Sequence, residues 1–336
     1  MKMNLKLTKR NHASQGCACA ALTRSMAWGL RGLSLLMLSL GVAASADAAV
    51  LRVNNDPGAG AQYTSLNDAL TDAAKGDVII LDPSNTSYGD ATITRAVTIQ
   101  GSGYFKEVNQ PTQTGNAPSE VGKITVKATD VKLCGLMIDA VDVLASKTII
   151  TRCNVGTITL GALYSDVGPI TDCIIHQNFI RNYMTGSQYG TEASEIQITN
   201  NIFRSTTSGI AHVNNSVAKY NTLNWNDSYK SAFGMKNSVI THNIGGNAAK
   251  DSGSNTITDN FEHSMVKPYG NEYDITDTKV KEVDQEWTTE HGAFAGDDPY
   301  LLSGIPAGPV VESVSVPASV ESGQPLEVVV KIGVSK

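Results

Sequence analysis

The sequence predicts an all-β solenoid of short stacked coils, and three observations carry that prediction. Of 336 residues, 41% are hydrophobic and 17% charged, while Thr, Asn and Gly number 30, 24 and 30, a composition that favours short strands and tight turns over long helices. Cys134, Cys153 and Cys173 recur at intervals of 19 and 20 residues with no metal-ligand or disulfide spacing. On the same beat, β-branched runs end in Asn or Gly: at residues 101, 135, 154, 178, 201, 221, 243 and 260. After one 34-residue interval the spacings are 19, 24, 23, 20, 22 and 17, within the period range of solenoids and too short for a propeller blade of ~40 residues.

Taken in chain order, residues 1–46 read as a secretory signal peptide. Lys2, Lys6, Lys9, Arg10, Arg24 and Arg31 precede the apolar run from Leu33 to Ala44, and Ala44-Ser45-Ala46-Asp47-Ala48 offers cleavage after Ala46 or Ala48. The run is too short to span a bilayer, so no membrane span is expected after its removal. Cleavage after Ala46 takes away six bases and no acid, moving the net charge from −6 to −12. That balance disfavours nucleic-acid binding, which needs clustered Lys and Arg. A secreted or cell-surface monomer is expected.

Residues 47–262 read as the solenoid with its N-terminal cap. Thr64 or Ser65 starts a short helix whose apolar stripe is Leu66, Ala69, Leu70 and Ala73, and Gly76 stops it. Asp77 to Leu81 then reads as a first strand. Each later repeat alternates apolar and polar residues over about five positions, as a strand with one buried face should. At its end the chain must bend through a left-handed residue, which Asn and Gly tolerate best. Asn178, Asn201, Asn221, Asn243 and Asn260 are therefore expected at equivalent turns, hydrogen-bonding up the stack. Residues 263–309 carry no repeat and read as an irregular tail on the last coil. Residues 310–336 read as a hairpin, Val310 to Val316 and Leu326 to Val334.

The segments Tyr63-Thr64-Ser65-Leu66-Asn67-Asp68-Ala69-Leu70, Lys75-Gly76-Asp77-Val78-Ile79-Ile80-Leu81 and Ala96-Val97-Thr98-Ile99-Gln100-Gly101-Ser102-Gly103 resemble the entry of the right-handed parallel β-helix proteins of the pectin-lyase-like superfamily. The resemblance covers about residues 50 to 262 and implies a right-handed helix of about eight coils. Gly292 to Tyr300 with Ser303 to Pro306 looks like tails that follow β-helices in secreted proteins of Bacteroidota-type bacteria. The resemblance implies polysaccharide as the ligand class. It transfers no catalytic residue, because the local motifs of the superfamily's lyases, hydrolases and esterases are absent.

Stacking the repeats on their turn Asn gives the candidate site. Six positions before it stand Asp172, Glu195, Asn215, Asn237 and Ser254; seven before, Ser194, Asn214 and Lys236; nine before, Glu192 and His212. Such a face offers carboxylates, an imidazole and an amine at multiples of ~4.8 Å, suited to a repeating polymer. Trp225 adds a loop aromatic for a sugar face. The first expectation is polysaccharide engagement by Asp172, Glu192, Glu195, Asn214, Asn215 and Trp225. The second is a lyase acting on a uronate-containing polymer, with Lys236 or His212 as base and Ca²⁺ on Glu192 and Glu195. The third is a surface or adhesive structural protein.

Overall fold

The computed structural model describes residues 4–6, 48–109, 117–161, 168–187, 192–207, 209–224, 232–245, 254–263, 269–306, 308–316, 319 and 326–335. Among these the chain is all-β, with two long parallel sheets and few helices. A ten-stranded sheet runs in chain order through Val50–Val53, Val78–Leu81, Thr98–Gln100, Lys132–Cys134, Ile149–Thr151, Ile174–His176, Gln197–Thr199, Val217–Lys219, Val239–Thr241 and Thr256–Thr258. A nine-stranded sheet takes the intervening segments, among them Glu120–Val126, Met137–Val143, Asn154–Leu160 and Phe179–Gly186, and later Ile202–Phe203, Ile210–Asn214, Thr222–Leu223 and Phe233–Lys236. The chain thus alternates between two parallel sheets, the arrangement of a β-solenoid.

Alternation decides which residues face inward, and register stacks them. In the ten-stranded sheet the inward column is Leu51, Ile79, Ile99, Leu133, Ile150, Ile175, Ile198, Ala218 and Ile240, all buried in one core. The nine-stranded sheet opposes it with Ile124, Val141, Ile158, Met184, Ile210 and Phe233 in register. Each fully buried aliphatic side chain contributes ~1.5–3 kcal/mol, so like residues in like positions hold every rung to the next.

Two entry features differ from the sequence reading. The first strand is Val50–Val53, paired with Val78–Leu81, so a strand precedes the helix. The helix Leu66–Asp72 is capped by Ser65 and buries Leu66, Ala69 and Leu70 in the main core, but it ends at Ala73 rather than at Gly76. Asp77 explains the early stop: its carboxylate accepts from Ala74 N at 2.7 Å and from Ala49 N at 2.8 Å, drawing the chain into the next strand.

The turn from the ten- to the nine-stranded sheet takes two residues, and its chemistry corrects the expected one. The left-handed residues are Arg152, Gln177, Asn200, Tyr220, His242 and Asp259, each one position before the residue that stacks. Asn178, Asn201, Asn221 and Asn243 are buried and none of them has a positive φ. Each Oδ1 accepts from the preceding ladder residue, as from Cys153 N to Asn178 at 2.9 Å, and each Nδ2 donates to a carbonyl of the preceding rung, as Asn221 to Ile198 O at 2.8 Å. Asn260 ends the row by accepting from Asn243 N at 3.0 Å. Asn154 does not belong to this column. It pairs with Phe179 on the following strand, and Cys153 stands at the ladder position.

Residues 269–306 are more ordered than the expected irregular tail, and they do not rest on the last coil alone. They include the helix Asp277–Trp287, capped by Thr276. Tyr269, Ile275, Val280, Val283, Ala293 and Tyr300 form a second apolar cluster with Tyr104, Phe179 and Ile202, which come from three different coils. The strands Gly308–Ser315 and Glu327–Ser335 lie side by side, Asn4–Lys6 pairs parallel with the second, and residues 311–315 and 327–333 of them belong to a separate compact unit. Residues 1–3 and 7–46 of the expected signal segment lie outside the described residues.

Candidate functional site

Local backbone geometry accounts for much of the polar column. Asp172, Glu195, Asn215 and Asn237 all have positive φ, between 47° and 59°, at the turn entering the ten-stranded sheet. His212 is likewise left-handed, at φ 54°, in a bulge between Ala211 and Val213. Bends of this kind select short polar side chains that interact locally with the backbone, and Glu195 and His212 depart from that preference.

The structure places these residues on successive rungs. Asn214 pairs in register with Lys236, and Ser194 bridges to Asn214. Glu192 precedes Ala193, whose carbonyl accepts from Asn214 N at 2.9 Å, so Glu192 and His212 sit on adjoining rungs. Glu192, Glu195, His212, Asn215 and Lys236 are exposed and Asn214 is half-buried. Asp172 is exposed one rung earlier, where Thr171 Oγ1 donates to it at 3.1 Å. Trp225 lies outside the described residues. Among the described residues no group of three or more His, Cys, Asp or Glu side chains converges as a metal site, and Glu192 with Glu195 supplies two carboxylates where Ca²⁺ takes six to eight oxygens.

A second polar ladder, missed in the sequence, fixes this edge from behind. Ser216 Oγ accepts from Ile196 N at 2.9 Å, Ser238 Oγ from Ser216 N at 3.0 Å, and Asn255 Oδ1 from Ser238 N at 2.7 Å. The same hydroxyls donate to the carbonyls of Asn214, at 2.5 Å, and Lys236, at 2.8 Å. Both backbones that carry the exposed edge are therefore pinned. The signal was present as a Ser directly after Asn215 and after Asn237, both left-handed, whereas Cys173 and Ile196 follow Asp172 and Glu195 on the earlier rungs.

The opposite turn is occupied by the tail. His176 Nε2 meets Asp298 Oδ2 at 3.1 Å, and burial pulls that imidazole below its ordinary value although Asp298 opposes the shift. Gln177 Nε2 donates to Pro299 O at 2.6 Å, and Asn200 Nδ2 to Ala295 O at 2.9 Å. Farther along, His242 and His291 both reach the Asp259 carboxylate, at 3.0 and 3.2 Å. Two buried acids anchor the tail helix. Asp277 accepts from Ser303 N at 2.6 Å and Asn109 Nδ2 at 2.9 Å, and Asp284 accepts from Thr222 Oγ1 at 2.6 Å and Tyr269 OH at 2.7 Å. Burial raises both carboxyls, Asp284 to about 7, against the opposing effect of these hydrogen bonds.

Cys134, Cys153 and Cys173 are free and buried, and burial raises all three thiols. They belong to packing. No family model, curated protein or solved structure matches the chain.

Proposed function

We propose that this chain is an exported right-handed parallel β-helix of about eight coils, closed at its N-terminal end by the helix Leu66–Asp72, that engages a polysaccharide. Its binding edge is the row Glu192, Glu195, His212, Asn214, Asn215 and Lys236, with Asp172 at one end. One observation carries the reading: Glu192, Glu195, His212 and Lys236 are charged or polar side chains on three adjoining rungs, without an ion-pair partner among the described residues. Groups repeated at the strand spacing of ~4.8 Å match a polymer with regularly placed hydroxyl and carboxylate groups. The backbone behind them is already fixed, which lowers the ordering cost of binding.

Electrophoresis through gels containing uronate-rich and neutral polysaccharides tests this directly. The protein is retarded, and Glu195→Ala with Lys236→Ala weakens the retardation while leaving the melting temperature nearly unchanged, since exposed charges add little stability. Equal retardation of parent and variant contradicts the site. The lyase reading is decided in the same samples. If the parent releases unsaturated products from a uronate polymer and the variant does not, Lys236 is the base and the protein is an enzyme.

A further inference from the structure

We propose a separate oxyanion-binding step, formed by Arg181 and Arg204 on the outer face of the nine-stranded sheet, which takes a carboxylate or sulfate group of an acidic saccharide. The saccharide part rests on the polysaccharide reading above; the anion part does not.

Val155, Ile180, Phe203 and Leu223 are in register and point inward, so the residues that follow them, Gly156, Arg181, Arg204 and Asn224, occupy one outward column. Asn224 and Arg204 each reach back one rung, and Arg181 reaches back two, its Nη2 donating to Ile138 O at 3.1 Å, so that Arg181 brings charge to the column while the free donors are those of Arg204. Asn224 Nδ2 donates to Arg204 O at 2.9 Å, Arg204 Nε to Arg181 O at 3.3 Å, and Arg181 Nη1 to Asn154 Oδ1 at 2.8 Å. Gly156 leaves room for that reach, since a Cβ there would stand 3.2 Å from Arg181 Nη2. Two guanidinium groups are thereby set on successive rungs.

Their charges are compensated unequally. Arg181 meets Asp139 Oδ1 at 3.2 Å. Arg204 has no ion pair among the described residues, and its two terminal nitrogens make no hydrogen bond there. Its guanidinium lies 5.6 Å from the centre of the Tyr273 ring, which is 78% exposed and belongs to the tail. One rung on, Asn224 is 2% exposed and its Oδ1 is buried without a partner among the described residues, an acceptor that calls for a sugar hydroxyl beside the anion rather than for the anion itself. A planar guanidinium with free terminal N–H groups matches an oxyanion bidentately, and an anion between two like charges relieves their repulsion. The exposed Tyr273 ring offers an apolar face to a sugar beside that anion.

Inorganic sulfate and inorganic phosphate at constant ionic strength, with gels containing polygalacturonate, dextran sulfate or dextran, test the proposal on the whole chain. Sulfate raises the melting temperature of the parent and not of Arg204→Ala. The acidic polymers retard the parent at least tenfold more strongly than Arg204→Ala, with Arg204→Lys intermediate and dextran indifferent to Arg204. Carboxylate and sulfate are told apart by which of the two polymers depends on Arg204. Asp139→Asn, at an exposed position, frees the Arg181 charge and strengthens retardation, so the test survives if Arg204→Ala does not fold. Equal behaviour of parent and Arg204→Ala, or an Asp139→Asn variant that binds no more strongly, overturns the proposal. If Glu195→Ala with Lys236→Ala loses retention while Arg204→Ala keeps it, the anion step falls and the polysaccharide reading stands. If no polymer is retained yet sulfate still stabilises through Arg204, the anion step stands and the polysaccharide reading falls.

Discussion

Asn201 Oδ1 accepts both the backbone N–H of Asn178, at 2.9 Å, and its Nδ2, at 3.0 Å, so one carboxamide closes two donors of the rung before it. Asn221 does the same for Asn201 and Asn243 for Asn221. A ladder of this kind is a chain of obligations, since each member removed leaves buried groups on both sides unpaired.

Position along the ladder therefore sets the cost of substitution. Asn221→Ala orphans the backbone N–H of Asn201 and one of the two Nδ2 protons of that residue, the other staying on Ile175 O, and takes the side-chain donor from Ile198 O, at ~1–3 kcal/mol for each buried group left unpaired and about 3 kcal/mol in total. Asn260→Ala, on a half-buried final rung, costs about 1 kcal/mol. Urea denaturation of the two variants checks the ordering, and equal small losses would show the ladder to be incidental.

The tail helix should respond to pH through Asp284. Its folded pKa of about 7 lies above the ordinary carboxylate value, so between those values the folded state holds a proton that the unfolded chain has released. The acid's contribution is most favourable below pH ~4, is lost as pH rises through about 7, and is then flat. Asp277 is shifted in the same direction by burial. The parent loses on the order of a few kcal/mol across that window, and Asp284→Asn reduces the loss and is the more stable protein at pH 8. Melting temperatures at pH 5 and pH 8 decide it; a parent that gains stability with pH contradicts the assignment.

Gly186 is predicted to tolerate no side chain. A Cβ at this position would lie 2.0 Å from the carbonyl oxygen of His212 on the neighbouring rung, a backbone atom that cannot swing away. Gly186→Ala should destabilise by about 2 kcal/mol or more and weaken polymer retention by displacing the His212 bulge. Retained stability with retained binding would show that the bulge moves freely.

The buried thiols give a simple test of packing. Cys134, Cys153 and Cys173 should resist an aromatic disulfide reagent in the native protein and react together on denaturation, because the thiolate is the reactive form and burial opposes it. Rapid labelling of any one would place it at a surface.

The sequence shows the solenoid because identical physics recurs on every rung: an inward aliphatic such as Ile175, an outward polar neighbour such as His176, then a bend. Burial and strand spacing repeat, and the pattern repeats with them. The bend itself was less legible. Gln177, Tyr220 and His242 adopt positive φ although none is an obvious left-handed residue, because the ladder carboxamide that follows fixes the turn for them. Asn154 shows the matching error, since an Asn on the beat can belong to the strand and a Cys can take the ladder position. The tail was legible only as a segment without repeats, and its helix Asp277–Trp287 was missed. Asp277 and Asp284 are buried by partners from Asn109 and Thr222, over 60 residues or more, and nothing local to the helix announces those contacts. Arg181 and Arg204 were hidden for the same reason, their adjacency being created only by stacking.

The central claim is that a row of polar groups on adjoining rungs reads a polymer, and chain length is its most direct probe. Affinities of the parent for a purified series of oligosaccharides, from monomer to octamer, should rise steeply until the ligand spans the rungs from Asp172 to Lys236 and then level off, with the rise much reduced in Glu195→Ala with Lys236→Ala. A monosaccharide that competes as well as the octamer would contradict the account.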